Sequence, residues 1–120
     1  MTQVATPDGR LAEILAVAPA AQDSVDALTV LAGSAMDARP WKSVCYTIHV
    51  TGNTVAWTVF GANASDYSDE VVVQAEAPVA ANANGAYAVA QAPYGFYRVK
   101  IRSNAAGLPG TALLRGICKN

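Results

Sequence analysis

The chain has 120 residues, of which 52% are hydrophobic and only 14% are charged, and its formal net charge at pH 7 is −1. A chain of this length forms one domain that buries about two-thirds of its unfolded surface, so it needs neither a metal nor a disulfide to fold. No apolar stretch approaches the roughly 20 residues that cross a bilayer, and the near-neutral balance argues against phosphate binding, so we expect no membrane partner and no nucleic acid partner.

The first third of the chain, residues 1–43, mixes Ala, Asp, Ser and Pro and differs in texture from the rest. Leu11–Ala18 is predicted as a short helix that Pro19 ends, and Ala27–Leu31 as a short strand. A helix this short is marginal alone in water and needs a surface to lie on. We therefore expect an extended arm that docks on a neighbouring subunit, with an ordinary edge strand and connection as the alternative.

The middle of the chain carries the period-2 pattern of β-strands. Val44–Val50 and Val55–Phe60 alternate apolar and polar side chains on either side of Thr51–Thr54, which predicts a β-hairpin. Gly61–Asp66 is rich in residues that favour turns and is predicted as a loop. Glu70–Glu76 is predicted as the next strand.

The last third continues in the same way. Ala77–Gly85 is predicted as a loop and Ala86–Gln91 as a strand with one face of small side chains. Strands beginning at Phe96 and at Thr111, separated by a Gly- and Pro-containing turn, are predicted to pair as an antiparallel hairpin. Together with Ala27–Leu31, this reading gives seven short strands.

The fold class that follows is all-β. Seven short strands at this spacing predict an antiparallel β-sandwich. We place the sandwich domain at residues 44–120 and the arm with its connecting segment at residues 1–43.

Charge is divided unevenly along the chain. Residues 1–97 hold all nine acidic residues and three basic ones, whereas residues 98–120 hold five basic residues and no acid. Three of these five alternate with apolar residues on one predicted strand: Arg98, Lys100 and Arg102. We expect this basic face to contact identical subunits or other proteins, where charge sets register and steers encounter. The alternative is that it pairs with acidic loops of its own chain.

Catalytic and metal-binding patterns are weak. His49 is the only histidine and lies four residues from Cys45 on one strand face, about 13 Å away, too far for one to activate the other. Asn63, Asp66 and the Asp69-Glu70 pair could supply oxygen ligands to calcium, but a solvated turn explains them better. We therefore expect no catalytic residues, no metal and no cofactor.

Cysteines and aromatic residues give further candidates. Cys45 and Cys118 are disulfide candidates, within the chain or between chains, although two thiols without an export signal more often stay reduced. Tyr94 and Phe96 flank Gly95 and are candidates for exposed aromatic side chains that stack on a sugar. Trp57 lies on an apolar strand face and is predicted to be in the core.

Four segments between about residues 44 and 118 carry a series of motifs: Trp57–Asp66, Asn84–Tyr87, Ala92–Ile101 and Gly107–Gly116. The motifs are a tryptophan strand, a Gly-x-x-x-x-Asp turn, a Pro-aromatic strand start, an aromatic-Arg-Val strand, a Gly-rich turn and a short final strand ending in Gly. This series resembles a recurring pattern in small virion proteins of tailed bacteriophages, and similar strands occur in discoidin-like jelly rolls.

This resemblance implies a non-enzymatic structural protein, a capsid decoration or cement protein or a tail component. It implies a symmetric homo-oligomer such as a trimer, with the major capsid protein or other virion proteins as partners, located in the virion after assembly in the host cytoplasm. The binding residues expected are Arg98, Lys100, Arg102, Tyr94 and Phe96. The alternative is a carbohydrate- or receptor-binding module of a phage tail or fibre, with its site at Tyr94, Phe96 and the loop Gly61–Asp66.

Overall fold

Every element in the described part of the chain is a β-strand. A computed structural model of the protein describes residues 2–5, 11–17, 29–30, 34–103 and 110–119. These residues form ten strands: β1 (Thr2–Ala5), β2 (Leu11–Val17), β3 (Thr29–Val30), β4 (Met36–Asp37), β5 (Ser43–Gly52), β6 (Val55–Ala62), β7 (Val71–Val79), β8 (Asn84–Val89), β9 (Phe96–Ser103) and β10 (Gly110–Lys119).

The strands build two antiparallel sheets. The first sheet has the order β1-β2-β10-β5-β8, and the second has the order β3-β9-β6-β7, with β4 also paired to β9. The two sheets pack face to face, and the predicted all-β antiparallel sandwich is therefore confirmed. Within the described residues, no helix is long and apolar enough to cross a membrane.

The core lies between the inward faces of the central strands. Along β5 the inward residues are almost fully buried while their neighbours point outward, and the same alternation runs along β9 and β10. Trp57 is 2% exposed, which confirms that it belongs to the core. The largest buried side chains come from both sheets: Trp57, Tyr46, Tyr97, Met36, Ile48, Ile101 and Leu114.

The predicted hairpin of β5 and β6 is wrong, because β5 belongs to the first sheet and β6 to the second. Between β5 and β6 the chain passes from the first sheet to the second at the edge of the core. Val50 and Val55 are therefore both buried although their strands do not pair. An alternating pattern fixes which side chains face the core. It does not decide whether the next strand pairs beside the first or crosses to the opposite sheet.

The predicted hairpin of β9 and β10 is wrong for the same reason. β9 pairs with β3, β4 and β6, whereas β10 pairs with β2 and β5. Both strands have one apolar face, and each fills a central place in a different sheet. The residues that connect them lie outside the described ranges.

The predicted helix at Leu11–Ala18 is also wrong. Leu11–Val17 is strand β2, which pairs with β10 from Ala112 to Cys118. A seven-residue segment gains little from its own helical hydrogen bonds, whereas the backbone of β10 offers it a full set of partners. The strand predicted at Ala27–Leu31 is found at Thr29–Val30, and the rest of that stretch lies outside the described residues. Docking of residues 1–43 on a neighbouring subunit stays a prediction.

Strand β7 is longer than predicted and lies at the edge of the second sheet. It extends to Val79, so most of the predicted loop Ala77–Gly85 is strand, and only residues 80–83 form the turn to β8. Asn82 has a φ of 62°, a conformation that Asn tolerates better than most residues. Two register shifts against β6 and a proline at position 78 interrupt the edge, as is usual for strands that avoid pairing with other chains.

Candidate interaction surface

The basic residues of β9 are committed to ion pairs within the chain. Arg98 Nε donates to Glu70 Oε1 at 2.6 Å, and Lys100 Nζ donates to Glu70 Oε2 at 3.1 Å. Arg102 and Glu76 form a second pair, with Nη2 2.6 Å from Oε1. The hydrogen bonds from Arg98 hold the pKa of Glu70 below its ordinary value, and those from Arg102 do the same for Glu76.

These pairs bear out the alternative interpretation of the basic face, in which it pairs with acids of its own chain. The acids lie on and just before β7, and β6 runs between β7 and β9, so the long basic side chains cross β6. They bury Ala56 and Thr58, which point outward but are only 2% and 3% exposed. Lys100 Nζ also lies 4.4 Å from the centre of the Phe60 ring. A further contact of Arg98, Lys100 and Arg102 with another subunit stays a prediction.

The two aromatic candidates do not form an exposed platform. Phe96 is 8% exposed, and the expectation that it is accessible is wrong. The Arg39 guanidinium covers its ring at 4.8 Å, and the Tyr67 ring packs edge-on at 6.3 Å. Tyr94 is half-buried, with its ring 6.3 Å from that of Tyr97.

The loop between β6 and β7 uses its acids to hold its own backbone. Asp69 accepts hydrogen bonds from the backbone N–H groups of Asn63 and Ala64, and Asp66 accepts one from Ser68. Glu70 points instead to Arg98. The oxygen ligands considered for calcium are therefore divided between separate structural contacts, and no three His, Cys, Asp or Glu side chains of the described residues cluster around a possible ion.

The outward side of the first sheet has a different character, and we call it the cationic face. It is formed by the outward residues of three of the five strands of this sheet, β10, β5 and β8, together with Lys42 just before β5. None of these residues is acidic: Leu113, Arg115, Ile117 and Lys119; Lys42, Cys45, Thr47 and His49; Asn84, Ala86 and Ala88.

Among the described residues, the cations on this face have no ionic partner. Arg115, Lys119 and Lys42 are exposed, and within the described part of the chain they form no ion pair, in contrast to the basic residues of β9. Beside them Leu113 leaves 38% of its surface in solvent. A surface that mixes exposed apolar area with unpaired charge of one sign is typical of a protein-binding site.

Two shallow hollows lie on the cationic face. One, of about 490 Å³, has Arg115, Thr47, His49, Asn84 and Leu113 among its lining residues. His49 Nδ1 lies 2.6 Å from Asn84 Oδ1, so this pair has a fixed geometry. The other hollow, of about 620 Å³, is lined by a second set that includes Lys42, Cys45, Ala88, Ile117 and Lys119.

The two cysteines lie on adjacent strands but on opposite faces. Cys45 pairs in register with Ile117 and is partly exposed on the cationic face, whereas Cys118 pairs with Val44 and is fully buried. Neither cysteine forms a disulfide within the described part of the chain, and Cys118 Sγ lies 3.9 Å from Met36 Sδ. A disulfide between them within the chain would require one side chain to pass through the sheet, so that candidate pairing is wrong.

Sequence reasoning noticed the excess of basic residues after position 97 and singled out Arg98, Lys100 and Arg102, which form ion pairs within the chain. Whether a basic residue is free depends on which acids reach it, and Glu70 and Glu76 reach β9 across an intervening strand. The signal that indicates a free basic residue is its position in the sheet relative to the acids. Arg115 stands opposite Thr47, in rows of the sheet that carry no acid on β5 or β8.

The topology of the two sheets defines the chain as an antiparallel β-sandwich protein. No protein family matches the sequence, and no curated protein matches it. The fold is similar to a crystal structure of cobalt(II) HppE in complex with Tris buffer, with a TM-score of 0.41 and 13% identity, over 91% of this chain and 45% of that one. It is also similar to a crystal structure of PirA, with a TM-score of 0.38 and 11% identity, over 92% and 93% of the two chains. This chain thus spans less than half of the first of these structures, and we base no argument on either likeness.

Proposed function

We propose that the chain is a non-enzymatic structural protein of a bacteriophage virion, and specifically a decoration or cement protein that stabilises the head as a homo-oligomer such as a trimer. In this proposal it binds the major capsid protein or a neighbouring virion protein through the cationic face. It acts by mass action, since a protein that binds only the assembled lattice stabilises that lattice. Several copies in one oligomer add their weak contacts.

The observation that carries the proposal is the combination of unpaired cations and exposed apolar side chains on one face. Arg115 and Lys119 are free while Leu113 is 38% exposed beside them. The polar groups elsewhere have structural uses, since Glu70 and Glu76 stabilise the second sheet and Asp69 holds a loop. The resemblance of residues 44–118 to phage virion proteins supports the choice of lattice.

The test uses phage particles from a strain that encodes the chain and from the same strain with its gene deleted. Purified protein is added to the deleted particles, sedimented with them and quantified, and head opening on heating is followed by DNA release. We expect saturable binding and a higher opening temperature. Absence of the chain from particles of the intact strain, or no binding to the deleted ones, would refute the proposal.

A matched pair of variants tests the face. Leu113→Asp and Val72→Asp each place a carboxylate at an exposed apolar position, on β10 and on β7 respectively. We expect Leu113→Asp to weaken particle binding and Val72→Asp to leave it unchanged. Equal effects would mean that the cationic face is not the binding surface.

A second candidate function is a carbohydrate- or receptor-binding module. The burial of Phe96 weakens the site expected at Tyr94, Phe96 and Gly61–Asp66. The hollow at His49, Asn84 and Arg115 favours this function in its place, because it combines fixed polar groups with apolar walls. A glycan array tests it, and binding that His49→Ala abolishes would favour this candidate over the first.

A further inference from the structure

The charges that remain unpaired in the described part of the chain lie in two separate places. The positive ones are Lys42, Arg115 and Lys119 on the cationic face of the first sheet. The negative ones are Asp66 and Asp69, both exposed, in the loop at residues 63–69, which we call the acidic loop. The other acids whose side chains the structure describes, at positions 37, 70 and 76, are in ion pairs.

The acidic loop is held in a defined shape. Asp69 accepts from two backbone N–H groups, and Gly95 N donates to Asn63 Oδ1, which ties the loop to the start of β9. The hydrogen bond from Ser68 N lowers the pKa of Asp66, so this exposed carboxylate stays ionised at neutral pH. The loop therefore loses little conformational entropy when it binds a partner.

These two regions belong to opposite sheets of one molecule. The acidic loop joins β6 to β7 of the second sheet, whereas Arg115 lies on the outward side of the first sheet, with the core between them. A copy that presents its loop to the cationic face of another copy would match charge with charge.

We propose that the acidic loop of one copy binds the cationic face of a second copy, with Asp66 paired to Arg115. This inference rests on the proposed function, since it states how the homo-oligomer of that proposal is held together. The loop takes the hollow around Arg115, so the hollow around Lys42, Ile117 and Lys119 is left for the virion protein. The contact joins two different surfaces and is therefore heterologous, so it closes into a ring such as a trimer where the rotation between copies permits.

The hollow around Arg115 suits a carboxylate. Thr47 lies opposite Arg115 in the register and supplies a hydroxyl, and His49 and Asn84 line the same hollow. Guanidinium groups bind carboxylates through two parallel hydrogen bonds. The exposed part of Leu113 gives apolar area that a partner can cover, which a purely ionic contact would lack.

The experiment measures self-association of the full chain by sedimentation velocity over a range of protein concentrations, at low and high salt. We expect Arg115→Glu and Asp66→Lys each to weaken association by about tenfold or more, because each opposes like charges. Combining both substitutions should restore association, since the pair is re-formed with its charges exchanged. Asp69 is left in place because it holds the loop.

Val72→Asp, on β7 of the second sheet, is the control and should associate as the unchanged protein does. A thermal unfolding curve for each variant establishes that it is folded. A monomeric unchanged protein, association unaffected by Arg115→Glu, or a double variant no better than the singles would overturn the inference. If the double variant regains self-association but the protein does not bind particles, only the proposed function is overturned. If the double variant fails to regain self-association but the protein binds particles, only this inference is overturned.

Discussion

Arg98 Nε and Glu70 Oε1 lie 2.6 Å apart, although strand β6 runs between the strand that carries Arg98 and the one that Glu70 precedes. Their side chains are only 22% and 14% exposed, so solvent screens the pair weakly. Lys100 shares the same carboxylate. The second sheet is thus fastened on its outer side by charges that bridge non-adjacent strands.

Glu70→Gln should therefore destabilise the fold. The substitution leaves Arg98 and Lys100 without their counter-charge, and we expect a loss of about 1.5–3 kcal/mol, the size of a hydrogen bond to a charged group. Urea unfolding followed by tryptophan fluorescence measures it. Glu76→Gln is the matched control, with a smaller expected loss because Glu76 is 37% exposed. A loss at Glu76 equal to that at Glu70 would contradict the explanation.

Stability should fall as the solution is acidified. The pKa of Glu70, Glu76 and Asp66 is lowered in the fold, so the unfolded chain binds more protons in acid. The stability that these three carboxylates contribute is fully present above the pKa of about 4 that they have in the unfolded chain. It is lost as the pH falls through their lower pKa in the fold. Unfolding free energies measured between pH 7 and pH 3 give the slope of stability against pH. Glu70→Gln should flatten it, and an unchanged slope would show that Glu70 is not responsible.

Gly116→Ala should also destabilise the protein. A Cβ at this buried position would lie 2.8 Å from Met36 Sδ and 3.1 Å from Tyr46 Cε1. Overpacking of this kind costs about 1–3 kcal/mol, with the lower end expected because methionine can adjust. Gly95→Ala is the control, since its Cβ would meet only the exposed side chain of Arg39. Thermal unfolding of both variants measures the difference, and equal stability would contradict the crowding.

Thr58→Val should be neutral or stabilising. Thr58 is 3% exposed, and its Oγ1 has no hydrogen-bond partner among the described residues, so valine removes an unsatisfied buried polar atom without changing the shape. The same substitution at the exposed Thr47 gives a control for strand propensity. A clear loss of unfolding free energy at position 58 would mean that the hydroxyl is bonded in solution.

The strand positions could be predicted from the sequence because alternation is a local signal. Val44–Val50 and Tyr97–Arg102 each show the period-2 pattern that their burial reproduces. Their partners could not be predicted in this way. β10 pairs with β2, about a hundred residues earlier in the chain, and no local signal distinguishes that pairing from a hairpin with β9.

The candidate surface was predicted only in part, for a related reason. The excess of basic residues in the last part of the chain is visible in the sequence, and so is the acid-free composition of β8. The neutralisation of Arg98, Lys100 and Arg102 depends on the order of strands in the second sheet. Phe96 was misjudged because its cover, Arg39 and Tyr67, comes from two distant loops.

The central place of β10 also bears on how the protein is made. β10 lies between β2 and β5, so on a translating ribosome neither of these strands has its shared neighbour until residues 110–119 have emerged. Contacts this distant in sequence are typical of chains that fold in milliseconds to seconds rather than microseconds. Until then, two strand edges with apolar faces stay open to other nascent chains. Folding of the first sheet therefore waits for residues 110–119, and the interval before β10 emerges is when this sheet is most exposed to misassembly.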